Sequence, residues 1–200
     1  MTGLNPNRTI LLVIDMQNDF YGEGGNTEAR GKSIQHMQSL PGLVNHFVPQ
    51  LRDLGVKVVF TRFVYDPLRS PGNYSEIVRS AKKNNWLCLD GSPGAELDGV
   101  DVAKDDVVME KLTYDSFAGT PLLQMARSWD TQNIVLVGVR TEICILSTAS
   151  RAFAEGFRTI ILSDLIGTQD DRMGMTSVLL DALSYTSHVM TSDQLLEELA

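Results

Sequence analysis

The chain is poor in the residues that hold small or metal-built proteins together, with two cysteines and three histidines in 200 residues. Cys88 and Cys144 are too few for a disulfide framework at this length, which fits a reducing compartment. His36, His46 and His188 stand far apart without a ligand spacing, so surface or core roles are expected for them, and no metal and no cofactor. No apolar run approaches the length needed to cross a bilayer, so no membrane partner is expected. A formal charge of −8, spread without a basic cluster, argues against a nucleic-acid partner, whose phosphates it would repel. Met1 to Arg8 has no basic flank followed by an apolar segment, so no secretory signal is read there and a cytoplasmic location is expected. Repeats and low-complexity linkers are absent too, and a single domain over residues 1–200 is expected.

What the chain does have is short buried-strand signatures alternating with amphipathic helices. Thr9 to Ile14 and Ile134 to Val137 are unbroken aliphatic runs, too short for helices, as in strands covered on both faces. Val56 to Thr61, Val107 to Met109, Thr159 to Leu162 and Val189 to Met190 are further strands. Helices are expected over Pro41 to Leu54, Leu122 to Trp129, Met173 to Tyr185 and Asp193 to Leu199. In the first, Leu43, Val44, Phe47, Val48, Leu51 and Leu54 share one face. Tyr21 to Gln38 reads as a polar, Gly-rich loop over the strand ends, and Arg62 to Asp90 as an irregular excursion with a short helix near Glu76 to Lys82. The alternation predicts a three-layer α/β/α fold around a central, mostly parallel, Rossmann-like sheet.

Such a sheet gathers its strand tips at one edge, where open α/β proteins place their chemistry. Asp15, Lys111 and Cys144 each stand at or just beyond a strand tip. From Thr141 on, Ile145, Ala149, Ala152 and Phe153 fall at helical spacing, which puts Cys144 in a first helical turn, where the N-terminal dipole favours a thiolate. A thiol, an ammonium and a carboxylate can together carry out nucleophilic acyl transfer. Taken singly, each has a plain structural reading: a buried inert cysteine, a turn aspartate, a solvated lysine. Cys88, in the Trp86-Leu87-Cys88-Leu89 cluster, reads as a core residue.

The whole pattern resembles the isochorismatase-like hydrolase superfamily, cysteine hydrolases that act on small carbamoyl, amide and ureide compounds. The resemblance rests on Leu12-Val13-Ile14-Asp15-Met16-Gln17-Asn18-Asp19-Phe20 and Gly91-Ser92-Pro93-Gly94-Ala95-Glu96-Leu97. It continues through Glu110-Lys111 with Tyr114-Asp115-Ser116-Phe117, and Gly138-Val139-Arg140-Thr141 with Cys144 and Thr148-Ala149. It implies the fold already expected and a catalytic set of Asp15, Lys111 and Cys144. It further implies a cis peptide between Val139 and Arg140, and an oxyanion hole built from the backbone N–H groups of Arg140 and Cys144.

The departures narrow the expected chemistry. Metal-dependent nicotinamidase-like members carry an Asp and two His after the second strand, whereas no His lies between Arg62 and Asp90 here. Members that cleave isochorismate's vinyl ether can lack the cysteine, and this chain keeps it. Hydrolysis of a C–N bond through a thioester acyl-enzyme is therefore expected, with vinyl-ether hydrolysis or a catalytically idle binding protein as alternatives. Phe20, Tyr21, Trp86, Tyr114, Phe117 and Arg140 flank the motifs and are the candidates for a small-molecule pocket. Arg140 could clamp a substrate carboxylate or pair with a neighbouring acid. By the resemblance a homo-oligomer, dimer or tetramer, is expected.

Overall fold

In β1 (Thr9–Ile14) every residue is buried, because the strand alternates between two cores. Leu11 and Val13 join one apolar cluster while Ile10, Leu12 and Ile14 join the other. That period of two is what a strand covered on both faces must show. The computed structural model describes residues 4–74, 86–169 and 173–199. The short helix expected near Glu76 to Lys82 lies outside the described residues.

Six strands form one sheet in the order β3-β2-β1-β4-β5-β6, with β2 (Lys57–Phe63), β3 (Val107–Lys111), β4 (Asn133–Val139), β5 (Arg158–Gly167) and β6 (His188–Met190). Every pairing is parallel, so the sheet is wholly rather than mostly parallel. The order reverses between β1 and β4, and the ends of those two neighbours flank the crevice where such sheets hold ligands.

On one face lies α3 (Leu40–Asp53), with Leu40, Val44, Phe47, Val48 and Leu51 buried. Leu43 and Leu54, expected on that face, are exposed instead: a helix buried on one side covers only a limited arc, and these two fall at its rim. The C-terminal helix α7 (Ser192–Leu199) adds Leu195 and Leu199 to the same cluster. Helices α4 (Leu122–Ser128) and α5 (Leu146–Ala154) cover the other face, and α6 (Met173–Leu183) contributes Leu183 there. Phe153 is 52% exposed, against expectation, and Thr148, Ala149 and Ala152 carry the buried stripe of α5. The loop over the strand ends contains two single-turn helices, α1 (Asn18–Tyr21) and α2 (Asn26–Ala29). No helix among the described residues is long and apolar enough to cross a membrane.

One close approach sets the crevice. Gly138 pairs with Ile14 and has φ +109°, and a Cβ there would sit 2.1 Å from the Ile14 carbonyl oxygen. Only glycine lets β4 lie this close to the end of β1. Gly156, at φ +85°, has open space where a Cβ would go. Gly138→Ala should therefore lose about 3 kcal/mol or more, from overpacking and strain together, and Gly156→Ala about 1–2 kcal/mol from the backbone alone. Urea denaturation of the two variants checks this; equal losses would show that the contact with Ile14 relaxes freely.

Candidate active site

Register brings the three expected residues together. Ile14 pairs with Thr61 of β2, Thr61 pairs with Met109 of β3, and Lys111 lies opposite Phe63. Asp15, the first residue past β1, takes φ +52°, a left-handed conformation that Asp tolerates better than most residues. Its carboxylate turns inward: Oδ2 lies 2.8 Å from Lys111 Nζ, and Oδ1 accepts a hydrogen bond from the Thr61 hydroxyl at 2.8 Å. The ammonium also donates to the carbonyls of Thr113 and Tyr114, both at 3.1 Å, and stands 5.6 Å from the centre of the Phe63 ring. The Cys144 thiol is within hydrogen-bonding reach of both Asp15 and Lys111. All three residues are essentially sealed from solvent: Asp15 is 0%, Lys111 1% and Cys144 3% exposed.

Cys144 reaches this point through an irregular turn. After β4 the Val139–Arg140 peptide is cis, and Thr141–Ile145 forms a π-helical turn before α5 begins. The regular first helical turn expected from Thr141 is therefore a wider one. Arg140 is extended (φ −98°, ψ 142°), and its carbonyl accepts the N–H groups of Ile143 and Ile145 while passing over that of Cys144.

Burial decides the protonation states. It opposes the Lys111 charge, but the Asp15 carboxylate and Cys144 outweigh it and hold the ammonium above its ordinary range. Burial pushes the Cys144 thiol up to about 12, with Asp15 adding to the rise and Lys111 opposing it. Burial thus outweighs the thiolate preference expected from the helix terminus, although Lys111 does pull toward the thiolate, and the thiol is raised above its ordinary range. Burial likewise raises Cys88, which is wholly enclosed in the core as expected.

The pocket candidates separate. Tyr114 comes near Arg140 and Cys144, close enough for the Arg140 charge, and that of Cys144 once ionised, to act on its phenol. Phe20 and Tyr21 are buried in the first core, the Tyr21 hydroxyl donating to the Asp98 carbonyl. Phe117 stacks on Phe157 in the second core, and Trp86 stacks on Tyr65. These four are placed in packing. Arg140 turns Nε and Nη2 to Glu142, at 3.2 and 3.1 Å, which is the pairing with a neighbouring acid. Among the described residues no three His, Cys, Asp or Glu side chains come together as a metal-binding group.

Four residues escaped the sequence reading of the site. Thr61 orients Asp15, and its one signal was its position at a strand tip. Tyr74 packs its ring 5.0 Å from Tyr114 and 6.1 Å from Phe63, and the charge of Lys111, and that of Cys144 once ionised, act on its phenol. Gln17 is fully buried and fastens the tips of β1 and β2, donating to the carbonyls of Phe63 (2.9 Å) and Ala95 (2.6 Å) and accepting from Phe63 N–H (2.8 Å). Asp19 accepts from the N–H groups of Asn26 (2.9 Å) and Cys88 (2.6 Å), and a Cβ on Gly94 would meet its carboxylate at 2.3 Å. The last two sit inside the motif after β1, where only their polarity was visible.

A wholly parallel sheet with a buried Cys, Lys and Asp at its switch point defines a class: an α/β protein equipped for cysteine chemistry. Residues 9–194 match the isochorismatase domain model, and the chain belongs to that family. It is 26% identical over 174 residues to the ureidoacrylate amidohydrolase RutB of Methylobacterium radiotolerans, covering 80% of this chain and 67% of that protein. In structure it resembles a cysteine hydrolase from Pseudomonas syringae pv. phaseolicola, with a TM-score of 0.80, 22% identity and coverage of 98% of this chain and 94% of that one. N-carbamoylsarcosine amidase from Thermoplasma acidophilum superposes with a TM-score of 0.73 at 23% identity, covering 93% and 97%. At these identities the structural likenesses show the fold.

The site makes two stability predictions. Lys111→Met leaves the Asp15 charge buried alone and should cost about 3–5 kcal/mol, while Asp15→Asn/Lys111→Met, which removes both charges, should recover much of that loss. Denaturant titration of the variants decides it, and a double variant less stable than the single would contradict it. The second concerns pH. The folded thiol stays neutral to about 12, whereas an unfolded one ionises near about 8.5, so between these values the unfolded state binds fewer protons. Lys111 acts in the same direction: its raised folded value gives stability present below the unfolded value of about 10.4, lost as pH rises through the folded one. Stability should fall as pH rises from about 8.5 toward 12, and Cys144→Ala should flatten that slope. Parallel slopes in the two proteins would show that Cys144 does not titrate as described.

Proposed function

We propose that this chain is a cysteine-dependent hydrolase that cleaves a C–N bond of a small amide, ureide or carbamoyl compound through a thioester on Cys144. The observation that carries the reading is the enclosure of Asp15, Lys111 and Cys144 in mutual contact at the switch point of the sheet. Asp15 takes the thiol proton as sulfur attacks the substrate carbonyl, and Lys111 holds the negative charge that the pair shares. The tetrahedral oxygen is received by the backbone N–H groups of Arg140 and Cys144. On collapse the C–N bond breaks and Asp15 passes its proton to the leaving nitrogen. Asp15 then takes a proton from the water that attacks the thioester, freeing the acid and returning the proton to sulfur.

Family membership and the amidohydrolase relative support C–N chemistry, and the retained cysteine favours it over vinyl-ether cleavage. Tyr114 and Tyr74 are the side chains we place beside the substrate, and the pairing of Arg140 with Glu142 counts against a carboxylate clamp. The same reading takes the protein as a single-domain, cytoplasmic homo-oligomer that uses no metal or cofactor. Phe153, Val178 and Tyr185 are among the exposed large apolar side chains, with Leu68, that it leaves for subunit contacts.

The test is ammonia release from a panel of small amides and ureides that includes ureidoacrylate and N-carbamoylsarcosine, with Cys144→Ala alongside. Cys144→Ala should lose at least about 10³-fold in kcat, and acid-quenched wild type should carry an acyl adduct at Cys144 by mass spectrometry. Turnover near the wild-type rate in Cys144→Ala would overturn the covalent mechanism.

A further inference from the structure

Between the oxyanion turn and the end of β5 stands a polar cluster that the proposed chemistry does not use. Glu142 lies two residues before Cys144. Its Oε1 accepts from Arg140 Nε at 3.2 Å and from Nη2 at 3.1 Å, and its Oε2 accepts from the Thr168 hydroxyl at 2.6 Å. Both carboxylate oxygens are engaged. The side chains of Arg140 and Glu142 are 12% and 6% exposed, so water screens the pair little. Thr141 runs a parallel tie, its hydroxyl donating to the Gly167 carbonyl at 3.1 Å. The turn is thus fastened at two consecutive residues to the exit of β5.

Residues two apart on a regular helix do not face one another. Arg140 and Glu142 meet because Arg140 is extended and the π turn begins only after it. A buried ion pair of this kind adds little stability over apolar packing, so its place beside the nucleophile calls for another explanation. Without Glu142, an uncompensated guanidinium would stand four residues from Cys144.

We propose that Glu142 is a positioning residue for the Cys144 turn: it holds the Arg140 guanidinium against the turn and cancels its charge there, leaving the thiol under the control of Lys111 and Asp15. This rests on the reading of Cys144 as nucleophile. The other ionisable groups around the thiol are Asp15 from the end of β1, Lys111 from β3, the phenols of Tyr74 and Tyr114, and the neutral Cys88. Arg30, just past α2, stands close enough to Arg140 for the two cations to act on each other, and Asp19 lies near both Arg30 and Cys88.

The test is the rate constant for alkylation of Cys144 by iodoacetamide at pH 8, followed by peptide mass spectrometry, which needs no knowledge of the substrate. The rate follows the thiolate fraction. Glu142→Gln should raise it about 3- to 10-fold, Arg140→Gln should lower it by a similar factor, and the double variant should return to within about twofold of wild type. A merely structural brace would change melting temperatures without this opposite pair of signs. Rates unchanged in Glu142→Gln, or shifted in the same direction in both single variants, would overturn the proposal. If Arg140→Gln fails to fold, the sign of the Glu142→Gln change alone decides, since a decrease or no change defeats it. Turnover by Cys144→Ala bears on the nucleophile reading and leaves the alkylation result untouched, so the two can fail separately.

Discussion

The structure is organised around the ion pair between Asp15 and Lys111, two charges with almost no exposure to water. Such a pair survives burial only when its geometry is good and its remaining donors and acceptors are met. Here one hydroxyl meets Asp15 Oδ1, and two backbone carbonyls and an aromatic face meet the ammonium, supplied by β2 and by the segment after β3, while Asp15 Oδ2 has the ammonium alone. The pair therefore fixes the ends of three strands relative to one another. It also determines what can stand over it. The third group in contact is the thiol of Cys144, carried in from β4 because Gly138 allows that strand to touch β1.

The loops that enclose the pair are held by side chains that bond to backbone. Gln17 ties the tip of β1 to the end of β2 and to the turn at Ala95, and Asp19 ties the following helical turns to Cys88. Ser116 and Thr148, both buried, share a 3.0 Å bond that joins the segment after Lys111 to the helix after Cys144. These fastenings link residues from four separate stretches of the motif pattern. Each stretch holds its partner in place around the same buried charges.

The strands were legible from short, largely aliphatic runs, and the class of sheet followed from their alternation with helices. Their tips could then be named, and Asp15, Lys111 and Cys144 with them. Burial at the edges was not legible. Leu43 and Phe153 sit at helical spacing yet face solvent, because spacing defines a stripe and only packing defines its width. Thr61 reads as one more strand residue until register sets it beside Asp15. Tyr74 lies in an aperiodic excursion, so no pattern could assign it a side. The π turn was hidden for a related reason: Thr141 to Ile145 has ordinary helical composition, and the widening comes from how the chain enters it. The pairing of Glu142 with Arg140 follows from that entry and could not be foreseen from a spacing of two.

The protonated thiol follows from comparing magnitudes. A helix terminus contributes about 0.3–1 kcal/mol to a nearby charge, up to about 2 in favourable cases, and a π-helical entry does not improve on that. Burial can shift an ionisable group by 3–5 pKa units, each about 1.36 kcal/mol. At 3% exposure burial wins, and the neighbouring carboxylate strengthens it. A nucleophile in this position cannot rely on a standing thiolate and needs a base in contact. In the proposed mechanism that base is Asp15, and the transfer has a useful property. Moving a proton from sulfur to the carboxylate leaves the net charge of Asp15, Lys111 and Cys144 unchanged, so the anion moves within the enclosure and no new charge is created there. The cost of burial is borne once, when the ion pair forms on folding, and the same ammonium then serves whichever partner carries the negative charge.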